Sequence, residues 1–493
     1  MAGYKQGIDR YQQGIYSMDD MVDEQSIVRL IDRFIAIQNL DLLGFKKAVP
    51  AYTGRPAYSP AMLCKLYVYG YENGIRSSRK LERETYRNIE VMWLMDSLNP
   101  DYKTISEFRR ENLRPLQKLF REFVKLCKSW DLIGGELIAI DGSKFKASNN
   151  KKSNFSRKKI DARLARIDEK INAYFSEMDA ADKSETKDDT VTAEILPKLE
   201  ELQERKKQYE AYKKQLDESG ENELSTVDPD ARLMGNNRGG VEVAYNVQSA
   251  VDAKNDIIIT YDVITNPSDQ HQLGNMINKA KRVLKIKRFT ALADKGYYNG
   301  KDLLRAKKAK VLAIVARQNP SEPKGRPEEF HTENFQYDES TNTYTCPQGH
   351  KLSSGSSTSA KRKVYTNKAA CKNCPHKTEC IKSDGKHRTV TRSEYSNLYE
   401  EADKRFAENK DLYKRRQEIV EHPFGTIKHT MNGGSFLLRT RRKVRTEIAL
   451  LFLGYNLKRA LNVLGFDGIM ARLNAVLLFL RYLCSANFIP AFI

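Results

Sequence analysis

Two carboxylates stand where apolar runs stop. Asp141 closes LIAID (137–141) in IAIDGSKFKA, and Asp294 follows Phe289–Ala293 in ALADKGYYNG. Both are followed by Lys and Gly within three residues. In open α/β sheets, ligands gather beyond the carboxyl ends of the strands. A third acid, Glu421, lies in a predicted helix within YKRRQEIVEHPFGTIK. Three carboxylates that converge repel one another unless a cation neutralises them. Hard oxygen ligands select Mg²⁺ or Mn²⁺. Two such ions about 3.5–4 Å apart clamp the attacking and leaving oxygens of a phosphoryl displacement. Each acid alone has a plainer reading, as a helix cap or a surface ion-pair partner. Their joint placement at strand ends and on one late helix favours the chemical one.

A second set is thiol-based. Cys346-Pro-Gln-Gly-His350 is followed by Cys371-x-x-Cys374 and by Cys380. Thiolates two residues apart give the bite that tetrahedral Zn²⁺ requires. The expected ligands of a structural Zn²⁺ are Cys346, Cys371, Cys374 and Cys380, with His350 or His376 as substitutes. The alternative is a degenerate ribbon of unligated thiols. Cys64, Cys127 and Cys484 sit in apolar patterns and read as packing residues.

The charge balance names the partner. Lys and Arg total 84 against 64 acids, a net charge of +20 over 493 residues. Such an excess favours a polyanion, nucleic acid before a membrane surface. Arg439, Arg441, Arg442, Lys443 and Arg445 put five cations in seven residues, a run suited to phosphates. Lys361-Arg-Lys363 is a shorter one. The seven cysteines are an odd count that argues against a disulfide scaffold. The opening MAGYKQGIDRYQQG holds no apolar signal segment. The late apolar run 475–480 is far shorter than the ~18 residues of a span. The expectation is a reduced, cytoplasmic, nucleoid-associated protein with no membrane contact.

Patterning divides the chain into segments that must position these groups. Residues 1–130 read as a helical DNA-binding domain, with Ser59-Pro60 starting one helix, Ser77-Ser78 another, and Thr104-x-x-Glu107 as a capping box. That last helix carries Arg109 and Arg110. Residues 131–148 and 226–317 alternate strands and helices and describe a mixed α/β core. Residues 149–225 are charged, with two amphipathic stripes, and read as an inserted helical hairpin. Residues 318–400 read as an irregular cysteine-rich insertion, and 401–465 as the Glu-bearing helix and its successor. Residues 466–493 form an apolar tail. Asn246 and Gln248 share one face of a strand, and Asp269 with His271 follows a proline turn.

The motifs PDYKTISEFRREN, IAIDGSKFKA, GGVEVAYNVQSAVD, ADKGYYN and VEHPFGTIK resemble bacterial insertion-sequence transposases of the DDE class. The resemblance spans essentially the whole chain. It implies an RNase H-like catalytic core of mixed α/β class flanked by helices, an all-α N-terminal domain, and a zinc-ribbon-like insertion. It implies that Asp141, Asp294 and Glu421 bind metal, that double-stranded DNA (terminal repeats and target) is the substrate, and that the protein works as a homodimer or larger assembly. The family's helical signature is matched by Tyr413, Arg416, Glu421 and Lys428, with four residues rather than three between Arg416 and Glu421. On a regular helix Glu421, Gly425 and Lys428 share a face, so Lys428 is expected to meet a phosphate and Tyr413 to stack on a base. A nuclease without strand transfer and an inactive zinc-containing DNA-binding protein are the alternative readings.

Overall fold

The computed structural model describes residues 17–485, apart from 51, 53–55, 183–188, 236–238, 318–324, 356–360 and 382–384. Internal contacts divide the chain into two units. The first gathers Met1–Gly134, Gly142–Pro267 and Glu421–Ile493, and the second Gly135–Asp141 and Ser268–Val420. One division falls inside a strand, after Asp141, and another inside a helix, before Glu421.

The first unit begins with helices α1 (Ile27–Ala36), α2 (Leu40–Leu43), α3 (Pro60–Glu72), α4 (Ser78–Arg87), α5 (Ile89–Leu94), α6 (Tyr102–Glu111) and α7 (Leu113–Ser129). Ser26, Asn39 and Ser59 cap α1, α2 and α3 through their side chains, satisfying amides that a helix start leaves orphaned. Two starts differ from expectation. The amide of Thr104 donates to Asp101 at 2.7 Å, so Asp101 caps α6 and Thr104 lies inside it. The Ser78 helix also breaks at Asn88, whose side chain accepts from the amides of Glu90 and Val91 and starts α5 afresh. Helix α3 is apolar almost all round, and accordingly buried.

The same unit holds the outgoing half of β1 (Leu137–Lys146), a small ribbon of β2 (Asn154–Ser156) and β3 (Glu223–Ser225), and the two long helices α8 (Arg157–Asp182) and α9 (Asp189–Ser219). These are the expected hairpin, rooted on Phe155, Ile160 and Leu216. Strand β4 (Arg232–Gly235), which the sequence did not announce, pairs antiparallel with β5 (Val241–Asp252). Strand β5 pairs antiparallel with β6 (Ile258–Ile264) through a turn in which Asp256 takes φ +52°.

In the second unit the first half of β1 runs parallel to β7 (Thr290–Ala293), and β7 parallel to β8 (Leu312–Val315). Helix α10 (Leu273–Leu284) precedes β7, and α11 (Gly300–Lys308) joins β7 to β8. This is the mixed α/β order expected. Residues 318–400 are more regular than expected. Strands β9 (Gln336–Asp338), β10 (Thr343–Thr345), β11 (Lys351–Ser354), β12 (Arg362–Thr366) and β13 (Thr389–Ser393) form an antiparallel meander, each paired with the next. Its core is Phe335, Tyr344, Leu352, Tyr365 and Val390. Strands of three to five residues with at most two buried side chains carry too little alternation to be read in advance. Short helices α12 (Lys368–Lys372) and α13 (Lys377–Cys380) lie between β12 and β13. Helices α14 (Ser396–Glu408) and α15 (Lys410–Gly425) follow β13.

Helix α16 (Arg441–Ser485) returns to the first unit and packs against α1, α3, α7 and β6. The side chain of Asn456 bonds both the amide and the carbonyl of Ile258, at 2.9 Å each, and so satisfies the open edge of β6. Gly465, at φ +70° and ψ 168°, kinks α16 in a conformation open essentially to glycine alone. By length and composition α16 is apolar enough to cross a membrane, which the short run 475–480 did not suggest, and Leu478, Phe479 and Tyr482 are exposed on it. The Cys484 side chain, residues 1–16 and the connection 183–188 lie outside what is described. Cys64 and Cys127 are buried, as expected of packing residues.

One buried ion pair ties the N-terminal helices to this last helix. Arg76 donates to Glu447 at 3.0 Å and to the Ser435 carbonyl at 2.6 Å. Glu447 also accepts from the amides of Leu437 and Leu438. Burial pushes the Glu447 carboxyl pKa up, against the pull of Arg76. Removing one member of such a pair strands the other charge in the core. Glu447→Ala is therefore expected to cost about 3–5 kcal/mol, read as a lowered urea midpoint of the full chain.

Candidate catalytic and metal centres

The parallel pairing of β1 with β7 sets Ile140 opposite Ala293. The next residue on each strand is Asp141 and Asp294. Two of the three expected acids therefore follow the last paired residues of neighbouring strands; Asp294 ends β7, but β1 runs on to Lys146, so Asp141 lies within its strand and does not close it as the apolar run suggested. Each strand is apolar because it is buried, and each polar residue appears where the strand leaves the core. Asp294 accepts from the Lys295 amide at 2.6 Å, closing a tight turn. Gly296 keeps that turn open to a neighbour: a Cβ there would lie 3.6 Å from the Asp269 carboxylate. Asp269, a weak signal in the sequence, is thus a further acid at this end of the second unit.

Helix α15 brings cations and an aromatic ring to the same place. Arg416 lies 3.7 Å from Asp141, and its guanidinium is 5.8 Å from the Tyr413 ring centroid. Tyr413 is half-buried and meets Phe406 edge-on at 4.9 Å. Burial raises the Tyr413 pKa, Arg416 pulls it down, and the negative charge of Asp294 raises it further. Arg416 thus lies beside Asp141, and Tyr413 lies within electrostatic reach of Asp294. The extra residue before Glu421 leaves Arg416 in place beside Asp141. Glu421 is exposed on the same helix, five residues after Arg416, about 7.5 Å further along the axis.

The support for α15 comes from residues not singled out in the sequence. Tyr298, in the ADKGYYN motif, donates to Asp403 of α14 at 2.7 Å and stacks on Tyr399 at 5.0 Å. The Gly300 amide donates to the Tyr399 hydroxyl at 2.8 Å, and Arg405 donates to the Ala313 carbonyl on β8. Two adjacent tyrosines after a strand-terminal acid were the available signal. Tyr297 fills the core and Tyr298 docks the helix.

The expected single face of Glu421, Gly425 and Lys428 does not form. Pro423 removes an amide from α15, and the helix gives way after Gly425 to a π turn over Thr426–Thr430. In the first unit, Lys428 donates to the Ser143 hydroxyl at 2.7 Å and the Lys144 carbonyl at 3.0 Å, and lies 4.8 Å over the Phe145 ring. Lys428 thus docks on β1, two to four residues beyond Asp141. His422 bonds the Tyr455 hydroxyl at 2.9 Å and is structural.

The basic run splits in two. Arg445 lies 3.2 Å and Arg441 3.9 Å from buried Asp262, and Arg441 also donates to the Val263 carbonyl at 2.6 Å. These two cations anchor the start of α16 to β6, so the structure does not turn them outward with the others. Arg439 and Arg442 are exposed and Lys443 is partly so. Arg109 is likewise internal, 3.2 Å from the Tyr71 hydroxyl and 5.3 Å over the Tyr67 ring, so α6 does not present it to a partner. Asn246 and Gln248 are buried and bonded to each other at 2.9 Å.

Cys346, Cys371, Cys374 and Cys380 line one cavity together with His350. Gly349, at φ +78°, turns the β10–β11 hairpin so that the Cys346 amide reaches the His350 carbonyl at 2.9 Å. Helices α12 and α13 carry Cys371 and Cys380. Burial pushes the Cys380 thiol pKa up. His376 is engaged elsewhere, 2.7 Å from Glu379 and packed on Phe330. Ligand atoms of Glu329, His376 and Glu379 lie within 4.8 Å of one another, a grouping the sequence did not suggest.

Two family models match the chain. One, described as "Transposase domain (DUF772)", covers residues 16–111, and the other, "Transposase DDE domain", covers residues 345–461. The second takes in the four cysteines, Tyr413, Arg416, Glu421 and Lys428. No curated protein matches. Among solved structures, the chain is similar to a piggyBac transposase synaptic complex with hairpin DNA, at 9% identity and a TM-score of 0.31, over 94% of this chain and 86% of that one.

The π turn makes a prediction of its own. A Cβ on Gly433 would come within 2.7 Å of the Ile427 carbonyl, whereas one on Gly434 meets nothing closer than 3.8 Å. Gly433→Ala is expected to destabilise the protein by about 1–3 kcal/mol through overpacking. Gly434→Ala is expected to change little, and thermal unfolding of the two variants compares them directly.

Proposed function

Since the chain is a DDE transposase of the insertion-sequence kind, an enzyme that cleaves DNA, transfers the cut strand and uses a divalent metal, we propose that Asp141, Asp294 and Glu421 are its metal-holding acids. The core around them is read as RNase H-like, and the metal as a pair of Mg²⁺ or Mn²⁺ ions. The carrying observation is the register of β1 on β7, in which Asp141 and Asp294 each follow the last paired residue. An all-oxygen donor set of adjacent carboxylates fits hard divalent cations and suits softer metals poorly. When bound, such ions neutralise the carboxylates and supply Lewis acidity to phosphoryl displacement.

The remaining residues position DNA and these acids. Arg416, beside Asp141, orients that carboxylate and offers its guanidinium edge to a phosphate. Lys428 holds β1 just past Asp141 and fixes the end of the Glu-bearing helix. Arg439, Arg442 and Lys443 meet backbone phosphates of duplex DNA, and the N-terminal helices read the element's terminal repeats. Water cuts the strand and frees a 3′-OH, which then attacks target DNA. No protein nucleophile is needed, because the same in-line displacement serves both steps. Paired ends call for a homodimer or larger assembly.

In the insertion, Cys346, Cys371, Cys374 and Cys380 are proposed to hold one structural Zn²⁺. Four thiols facing one cavity match the donor set that zinc prefers. Zinc there would fasten α12 and α13 onto the small sheet β9–β13.

Asp141→Asn, Asp294→Asn and Glu421→Gln are each expected to lower Mg²⁺-dependent nicking of an element-end duplex by roughly 10³-fold, with duplex binding kept. Full activity in any one of them overturns its assignment. Pre-cleaved ends that never join target DNA would reduce the enzyme to a nuclease. The purified chain is expected to carry one Zn²⁺ by elemental analysis, and Cys374→Ser to lose it and become sensitive to protease within 326–393.

A further inference from the structure

We propose that the stem of the helical hairpin is a duplex-DNA backbone track running away from Asp141, independent of the basic run at 439–445. The inference rests on the transposase reading above and goes beyond it by assigning DNA contact to an insertion with no part in the chemistry. From Lys144 to Lys170 the sequence carries ten cations and three acids. Thus +7 of the chain's +20 lies in 27 residues.

The structure pairs two of the three acids within the hairpin and leaves the third, Glu169, exposed. Asp161 is paired with Lys213 of α9 at 2.8 Å, and Asp168 with Lys206 at 2.7 Å. Of the ten cations, among the described residues, only Arg157 lies within ion-pair distance of a carboxylate, Asp217. Lys144, Lys146, Lys151, Lys152, Lys158 and Arg166 are exposed.

One lysine is spent on shaping the track. Lys159 donates to the carbonyls of Lys151, Lys152 and Asn154, and its ammonium lies 4.7 Å over the Phe155 ring. All three ammonium protons are thereby occupied. The short 3₁₀ turn Lys151–Ser153 is pinned from beneath, with Asn150 capping it at 3.0 Å. A turn held this way presents Lys151 and Lys152 outward at little cost in ordering entropy. A partly buried ammonium under two exposed ones is a poor arrangement for a solvated loop, since the charges repel. It suits a surface completed by phosphates.

The experiment measures the affinity of the full-length protein for a short random-sequence duplex and an equally long element-end duplex across a salt series. Lys151→Gln/Lys152→Gln is expected to flatten the slope of log affinity against log salt by about 1.8, at about 0.9 per phosphate contact, equally for both duplexes. Lys206→Gln/Lys213→Gln removes the same formal charge from the same hairpin at lysines already paired, and is expected to move the slope by less than half as much. Equal effects of the two pairs, or none from the first, overturn the track while leaving the enzyme a transposase. A loss confined to the element-end duplex overturns it in favour of sequence readout. A wild-type chain that binds neither duplex overturns the transposase reading and the track together.

Discussion

Two like charges placed where the parallel pairing of β1 and β7 stops are the constraint around which the second unit is arranged. Neighbouring strands lie about 4.8 Å apart. Carboxylates on neighbouring strands repel one another. The fold accepts this because β1 and β7 are otherwise apolar and pair in register. It offsets part of the repulsion with Arg416 and with the Lys295 amide on Asp294. In the proposed reading a bound cation offsets the remainder, so the strand pairing that costs stability would also prepare the site.

Holding Arg416 there requires α15 to be fixed, and α15 follows directly from α14. Tyr298, Tyr399, Asp403 and Arg405 attach α14 to β8 and to the turn after Asp294. The motif after Asp294 therefore has two duties. Its aspartate provides a carboxylate, and its tyrosines fix the helix pair that supplies the counter-charge. In the first unit, Arg76 and Glu447 serve a comparable purpose. They fix the loop Ser435–Leu438, which runs beside the end of β1, and so link the N-terminal helices to the strand that leaves Asp141.

The sequence was legible where one local rule decided the outcome. The existence of the strands bearing Asp141 and Asp294 could be read because buried parallel strands are continuous apolar runs, but the polar continuation of β1 to Lys146 could not, since it lacks that pattern. The hairpin could be read because its stripes repeat over many turns. The cysteine insertion hid its sheet because strands as short as Thr343–Thr345 carry almost no periodicity. Arg441 and Arg445 looked like their neighbours in a basic run. Only the long-range approach of Asp262 separates them. The π turn was invisible because the helical signature implies regular geometry, and Pro423 with Gly433 alters it through contacts that no spacing encodes. Asp101 displaced Thr104 as a cap because both residue types suit that role and tertiary context chose between them.

The first unit is stitched from three stretches of chain separated by the whole of the second. Its buried Arg76–Glu447 pair joins residues 371 positions apart. Such a contact cannot form until Glu447 has left the ribosome. The N-terminal helices thus emerge long before the partner that completes their core, and loop closure over that distance is slow. The first unit's core therefore stays unfinished until all of residues 268–420 have been made.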